Sequence, residues 1–264
     1  MSQLLADIVE QVQHDYHAAM MTSGGENALR IAMELCNHHL YLEIDKLALV
    51  VAEDPTLLAT RPGGMIADAE EAANPSVGMI ICVNLAAGML EALIGIAAEQ
   101  GWLKPDAEGH LSEEVHQQLD EVIAPVVDYS DSELAKQNMQ KPGRSELTKV
   151  MALAESVYQE RLATEAADAY NLALEVASEY SVFAPDDIAP LVAENPLLLG
   201  LRADGMVEDE IFEGDPPAGL VISAHLTDMV MSQLMDYAVE QGALALDSSG
   251  QPIMQLSDKA PPLH

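Results

Sequence analysis

His14 and His17 stand one helical turn apart in the segment HDYH, and His38 and His39 follow beyond a Gly24-Gly25 break. If the two stretches fold back on one another, with Glu10 or Glu34 nearby, their imidazoles and carboxylates offer the donor types of a first-row metal site. The later part of the chain carries Glu155, Tyr158, Glu179 and Tyr180 at the matching places, so such a site would exist only once. Ordinary helix-surface histidines are the simpler account, and no cofactor is expected.

A second set of residues suggests different chemistry. Glu53, Arg61 and Asp68 recur downstream as Glu194, Arg202 and Asp209. Lys and Arg number only 11 against 44 Asp and Glu, so a retained Arg is informative. Its planar guanidinium can pin a loop through a bidentate pair, or take a carboxylate or phosphate from a ligand. The expectation is the structural pairing, each Arg bonded to an acid of its own half. The alternative is a small-ligand-binding protein or enzyme built on the duplicated Glu/Arg/Asp set. The sequence has no phosphate loop, dinucleotide fingerprint, Cys-X-X-Cys pair, HExxH or nucleophile elbow, which points away from the common enzyme classes.

These residues recur because the chain repeats. VAEDPTLLATRPGGM from Val51 returns as VAENPLLLGLRADGM from Val192, an offset of 141. At that offset 24 of the 65 positions from Asp45 to Gly109 are identical without a gap, and Ala28, Ala32 and Glu34 also match. A unit of this size is too long for a solenoid repeat and reads as a duplicated domain. Ala, Leu, Val and Met dominate while aromatics make up 4%, which favours helix. The expected fold is therefore all-α with small β-hairpin turns, in two lobes with a pseudo-two-fold arrangement. Lobe 1 spans residues 1–128, a linker 129–144, and lobe 2 145–264.

Each lobe should open with a long amphipathic stretch, Gln3 to Leu40 or Ser145 to Tyr180, broken only in the first copy. A short helix capped by Asp45 or Asp186 follows and stops at Pro55 or Pro196. A long helix then runs from Val77 or Ala218 to a stop at Gly101 or Gly242. VGMIICVNLAAGMLEALIGIAA has the length of a membrane span. Its copy carries His225, Asp228, Ser232, Gln233 and Asp236, so both copies read as core helices of a protein outside the membrane. Ala87, Gly88 and Gly95 leave a strip of small residues on the first copy. A helix from Leu111 to Val127 should cover it; a homodimer interface is the alternative. Cys36 and Cys82, matched by Ala177 and Ser223, read as buried thiols.

The net charge is −33. Such a surface repels nucleic acid and anionic lipid, and favours a basic protein partner. Two acidic loops are the candidate contact points: Asp68, Glu70 and Glu71, then Glu208, Asp209, Glu210, Glu213 and Asp215. The N-terminal residues lack the basic and cleavage features of a secretion signal. The functional expectation is a non-enzymatic, cytoplasmic regulator, adaptor, inhibitor or assembly chaperone.

Overall fold

Leu5, Ile8, Val12, Tyr16 and Met20 fall at steps of three and four and form the buried stripe of α1 (Gln3–Ser23). Ser2 opens the helix, its hydroxyl accepting from Leu5 N at 2.9 Å. The computed structural model describes residues 2–62, 73–103, 125, 127–139, 146–164, 168–181, 183–203, 216–245 and 247. Gly24 and Gly25 turn the chain at φ +68° and +88°, where a side chain is strained. Gly25 also lies against Trp102, whose ring a Cβ would approach to 2.9 Å. The chain then folds back as α2 (Ala28–Leu40), and the Tyr16 hydroxyl donates to Ala28 O at 3.2 Å.

The remaining helices are α3 (Ile44–Glu53), α4 (Val77–Glu99), α5 (Glu133–Met139), α6 (Glu146–Thr164), α7 (Ala169–Tyr180), α8 (Pro185–Glu194) and α9 (Ala218–Glu240). Two 3₁₀ turns, Pro55–Ala59 and Pro196–Gly200, follow α3 and α8. The fold is all-α, with no strand among the described residues. Most of each expected hairpin, and most of the expected helix from Leu111 to Val127, lie outside those residues; Pro125 and Val127, which are described, are not helical.

Several expectations change in detail. The second amphipathic stretch is broken too, between Thr164 and Ala169. Asp168 explains the restart, because its carboxylate accepts from Tyr170 N and Asn171 N at 3.0 and 3.1 Å. Asp45 does not cap its own helix. It takes the Ser132 hydroxyl and, at 3.1 Å, Leu134 N, and so caps α5 across the fold. At α8 the carboxylate bonded at the helix start is that of Asp187, which accepts from Ala184 N at 3.1 Å, while Asp186 is exposed. Pro55 and Pro196 open the 3₁₀ turns, where a missing N–H leaves nothing unsatisfied.

The chain forms two compact units that do not follow its halves. One comprises Met1–Pro142 with Phe183–Ile222, the other Gly143–Val182 with Ser223–His264. In the first, α3 packs on α8, burying Leu47, Ala48, Val50 and Val51 with Ile188, Ala189, Leu191 and Val192. The segment expected as a linker is anchored here through α5, where Asn138 Nδ2 donates to Glu194 O at 2.7 Å. In the second unit, α6, α7 and the later turns of α9 enclose Ala154, Leu172, Val176, Val230 and Leu234. Tyr158 donates to Ala169 O at 2.9 Å, the same tie that Tyr16 makes.

Among the described residues, α4 is the one helix long and apolar enough to cross a membrane, with mean hydropathy 2.1; half of that stretch is buried within the protein. Its Asn84 amide donates to Arg61 O at 2.8 Å and Ile80 O at 2.7 Å, which accounts for a polar residue in so apolar a helix. Gly101 and Gly242 close the long helices at φ +72° and +71°. Trp102 N and Ala243 N return to Ala97 O and Ala238 O, each at 2.8 Å. Neither glycine has a neighbour where a Cβ would point, so only backbone strain opposes substitution. Gly101→Ala and Gly242→Ala should each cost about 1 kcal/mol in urea unfolding; an unchanged midpoint would contradict these caps.

Burial also sets an alkaline limit. It raises Cys36, Tyr16, Tyr41 and Tyr158 to about 12, and Cys82 to about 11. Unfolded thiols release protons near their ordinary value of 9.0, so above it the native state holds more protons than the unfolded one. Stability is therefore fully present below about pH 9 and falls as pH rises toward about 12. Urea midpoints at pH 8 and pH 10.5 should differ in that direction, and Cys36→Ala should flatten the slope.

Candidate functional site

The first turn of a helix has N–H groups with no partner in the helix itself. Val77 N, at the start of α4, donates to Leu201 O at 2.8 Å. Ala218 N, at the start of α9, donates to Thr60 O at 2.9 Å. Each long helix is thus met by the carbonyl that ends the other half's 3₁₀ turn. Thr60 and Leu201 immediately precede Arg61 and Arg202, so these bonds place the two arginines beside the helix starts.

Arg202 is half-buried, and its Nη1 donates to Asn74 O, a backbone group of the other half. Arg61 is also half-buried, and its own carbonyl is held by Asn84. Glu53 is exposed and Glu194 partly so, with the Glu194 carbonyl engaged by Asn138. Asp68 and Asp209 lie outside the described residues, as do the loop acids Glu70, Glu71, Glu208, Glu210, Glu213 and Asp215.

Beside Arg202 is a cleft of about 500 Å³. Val127–Ser130 form one wall, Leu197 and Gly200–Arg202 the other, with Ser76 between them. Ser76 is buried and its hydroxyl accepts from Met79 N at 3.3 Å, so it caps α4. Asp128 accepts from Ser130 N at 2.8 Å, and the hydrogen bonding at Ser130 holds its carboxyl below the usual range. Tyr129 is the residue that sequence reasoning missed. It is 4% exposed, and its ring lies so close to Gly78 that a Cβ there would come within 2.8 Å. Its carbonyl would meet a Cβ at Gly200 at 2.6 Å. Its hydroxyl reaches Cys82 Sγ at 3.2 Å. The sequence signal was faint: Gly78 and Gly219 match between the copies, but nothing marked the tyrosine that one of them accommodates.

Three of the four candidate histidines, His17, His38 and His39, have local partners. His39 Nε2 is 3.3 Å from Asp15 Oδ2, and its ring stands edge-on to His38. His17 packs on Trp102, and His14 is exposed. No three His, Cys, Asp or Glu side chains among the described residues are placed to share a metal ion. On α9, Asp228 and Asp236 are exposed, and so are Gly88 and Gly95 on α4.

No family model, curated protein or solved structure matches the chain.

Tyr129 gives the site a direct test. Tyr129→Ala removes a buried aromatic wedge and should cost about 3–5 kcal/mol, whereas Tyr129→Phe loses only the contact to Cys82 and should cost about 1 kcal/mol. Equal losses in urea unfolding would refute the wedge.

Proposed function

We propose that the protein is a non-enzymatic acidic binding module that docks on a basic protein surface as a regulator, adaptor, inhibitor or assembly chaperone. The observation that carries this reading is where the charge sits. Among the described residues no Asp or Glu is buried, and the buried polar side chains are the serines Ser2, Ser76, Ser132 and Ser181. Several cations are matched to acids close by: Arg30 to Glu34, Lys136 to Asp131 and Glu133, Lys149 to Glu146, and Arg161 to Glu175. The acidic charge of the described residues is therefore carried outward, in a chain of net −33, where a basic partner gains from it and polyanions are repelled. The cytoplasm is the setting this reading favours, and two free buried thiols, Cys36 and Cys82, support a reducing compartment.

The module is, in this reading, an internal duplication with a pseudo-two-fold relation between its central elements. Four pairs of elements support it. At an offset of 141, α3 and α8, the two 3₁₀ turns, and α4 and α9 share both boundaries, while α2 and α7 start together. The reciprocal bonds Val77 N to Leu201 O and Ala218 N to Thr60 O have the pattern of a two-fold exchange.

The test is capture of a partner from the native extract on immobilised full-length protein at rising salt. Binding should be strong at low salt and lost by about 0.5 M, where charges are screened beyond a few ångströms. Reversing Asp68, Glu70 and Glu71 to Lys, or Glu208, Asp209 and Glu210 to Lys, should weaken it at least about tenfold. A partner retained at high salt, and indifferent to both reversals, would overturn the reading.

A further inference from the structure

We propose that the groove between α7 and α9 in the second compact unit seats a basic amphipathic helix of a partner protein. Within the reading of an acidic binding module, on which this assignment rests, the groove supplies an apolar anchor that charge alone does not. Two bonds to α6 fix its walls. Gln233 Nε2 donates to Glu155 at 2.6 Å, which turns one flank of α9 toward α6. Arg161 donates to Glu175 at 2.8 Å, which turns one flank of α7 toward α6 as well. All three helices share one core, so the other flanks of α7 and α9 face each other. These two helices run antiparallel. Ser223 Oγ donates to Ser181 O at 3.1 Å, just past the end of α7. At the start of α7, Tyr158 holds Ala169 O and packs edge-on against Tyr237 of α9.

Met231, Met235 and Val239 fall at steps of four on α9, and Tyr170 and Leu174 do the same on α7. The antiparallel register sets these two rows side by side. Tyr170, Met231 and Met235 are half-buried against the core, while Val239 is exposed and Leu174 is 48% exposed. At an offset of 141, the first unit has Leu29, Met33 and Leu90 in place of Tyr170, Leu174 and Met231. All three are buried there, Met33 at 8% exposure. The same row of apolar positions is covered in one unit and open in the other.

Unbranched methionine side chains can repack around differing neighbours, which suits a groove that receives the apolar stripe of a helix. Charge selects which helix. Asp228, three residues before Met231, and Asp236, next to Met235, are exposed along the α9 side. The described Lys and Arg of this unit, Lys149 and Arg161, are bonded to Glu146 and Glu175. A helix with Lys or Arg beside its apolar stripe is therefore matched, and an acidic helix is repelled.

Fluorescence-anisotropy titration of the full chain with a labelled Leu/Lys peptide tests the proposal. The peptide is about 18 residues long, with its leucines at helical spacing. It should bind saturably, one peptide per chain, and more weakly as salt rises. A Leu/Glu version should not bind, and a shuffled Leu/Lys version without an apolar face should bind less. Leu174→Gln and Met235→Gln leave every charge in place, and each should lower affinity at least about tenfold, the scale of a lost apolar anchor. Leu174→Gln alters an exposed residue and decides the matter if Met235→Gln fails to fold. Absent saturation, or an affinity that follows salt but ignores both variants, would overturn the groove. The second of these outcomes would leave docking on a basic surface standing. A chain that sediments as a dimer, and as a monomer once Leu174→Gln is made, would overturn the assignment in favour of a second copy.

Discussion

The unpaired amides at the start of two long helices constrain the first compact unit most. α4 and α9 are each 23 residues long, and their first-turn N–H groups need acceptors. Ser76 supplies one within its own helix, to Met79 N. For the leading amides, Val77 N and Ala218 N, the acceptors come from across the unit, at Leu201 and Thr60. A buried N–H left without a partner would cost about 1–3 kcal/mol, so α4 cannot keep its first turn unless the second half supplies Leu201. The same dependence holds in reverse for α9 and Thr60. This is why the compact unit takes residues Phe183–Ile222 out of the second half: the 3₁₀ turn and the helix start of that stretch are bonded to the first.

From that exchange the surrounding packing follows. α3 and α8 lie against each other because each must deliver its 3₁₀ turn to the opposite helix. Gly78 and Gly219 are the residues that let something approach each helix closely at its first turn, a tyrosine ring in one case and a backbone carbonyl in the other. Asp45 is drawn away from its own helix because α5, starting at Glu133, presents Leu134 N within reach. A carboxylate serves whichever free amides the packing brings to it, and sequence position does not decide which.

The sequence made some of this legible and hid the rest, for physical reasons. Helix identity and the glycine stops were readable, since apolar spacing and the demand for positive φ at Gly101 and Gly242 are local properties. The break before Ala169 was signalled only by Asp168, because Glu165, Ala166 and Ala167 are all helix-compatible residue types. The boundary between compact units was not readable at all. A repeat of 141 residues suggests two self-contained lobes, yet the donors and acceptors that tie Val77 to Leu201 are backbone atoms carrying no sequence signature. For the candidate site, the arginine was visible because cations are scarce. The tyrosine beside it was not, since one aromatic near a charged connector has no pattern to betray its burial.

Tyr129 also bears on how a copied fold becomes asymmetric. If the two halves began alike, each helix start would lie on the opposite 3₁₀ turn as Gly219 lies on Leu58. An aromatic ring beside Gly78 takes the place that the Leu58 carbonyl holds beside Gly219, while Val77 N keeps its bond to Leu201 O at 2.8 Å. Gly200 accommodates the tyrosine's backbone, having no Cβ to meet the Tyr129 carbonyl, where the other half has Ala59. The hydroxyl of the ring, too polar to bury unpaired, settles on Cys82 Sγ at 3.2 Å; at the matching place Ser223 instead bonds Ser181 O at 3.1 Å. Cys82, Gly78 and Gly200 are thus explained together by one inserted ring. The arginine on that side then lines a cleft bounded by the wedge, which gives two matching residues, Arg61 and Arg202, unequal surroundings from nearly equal sequence.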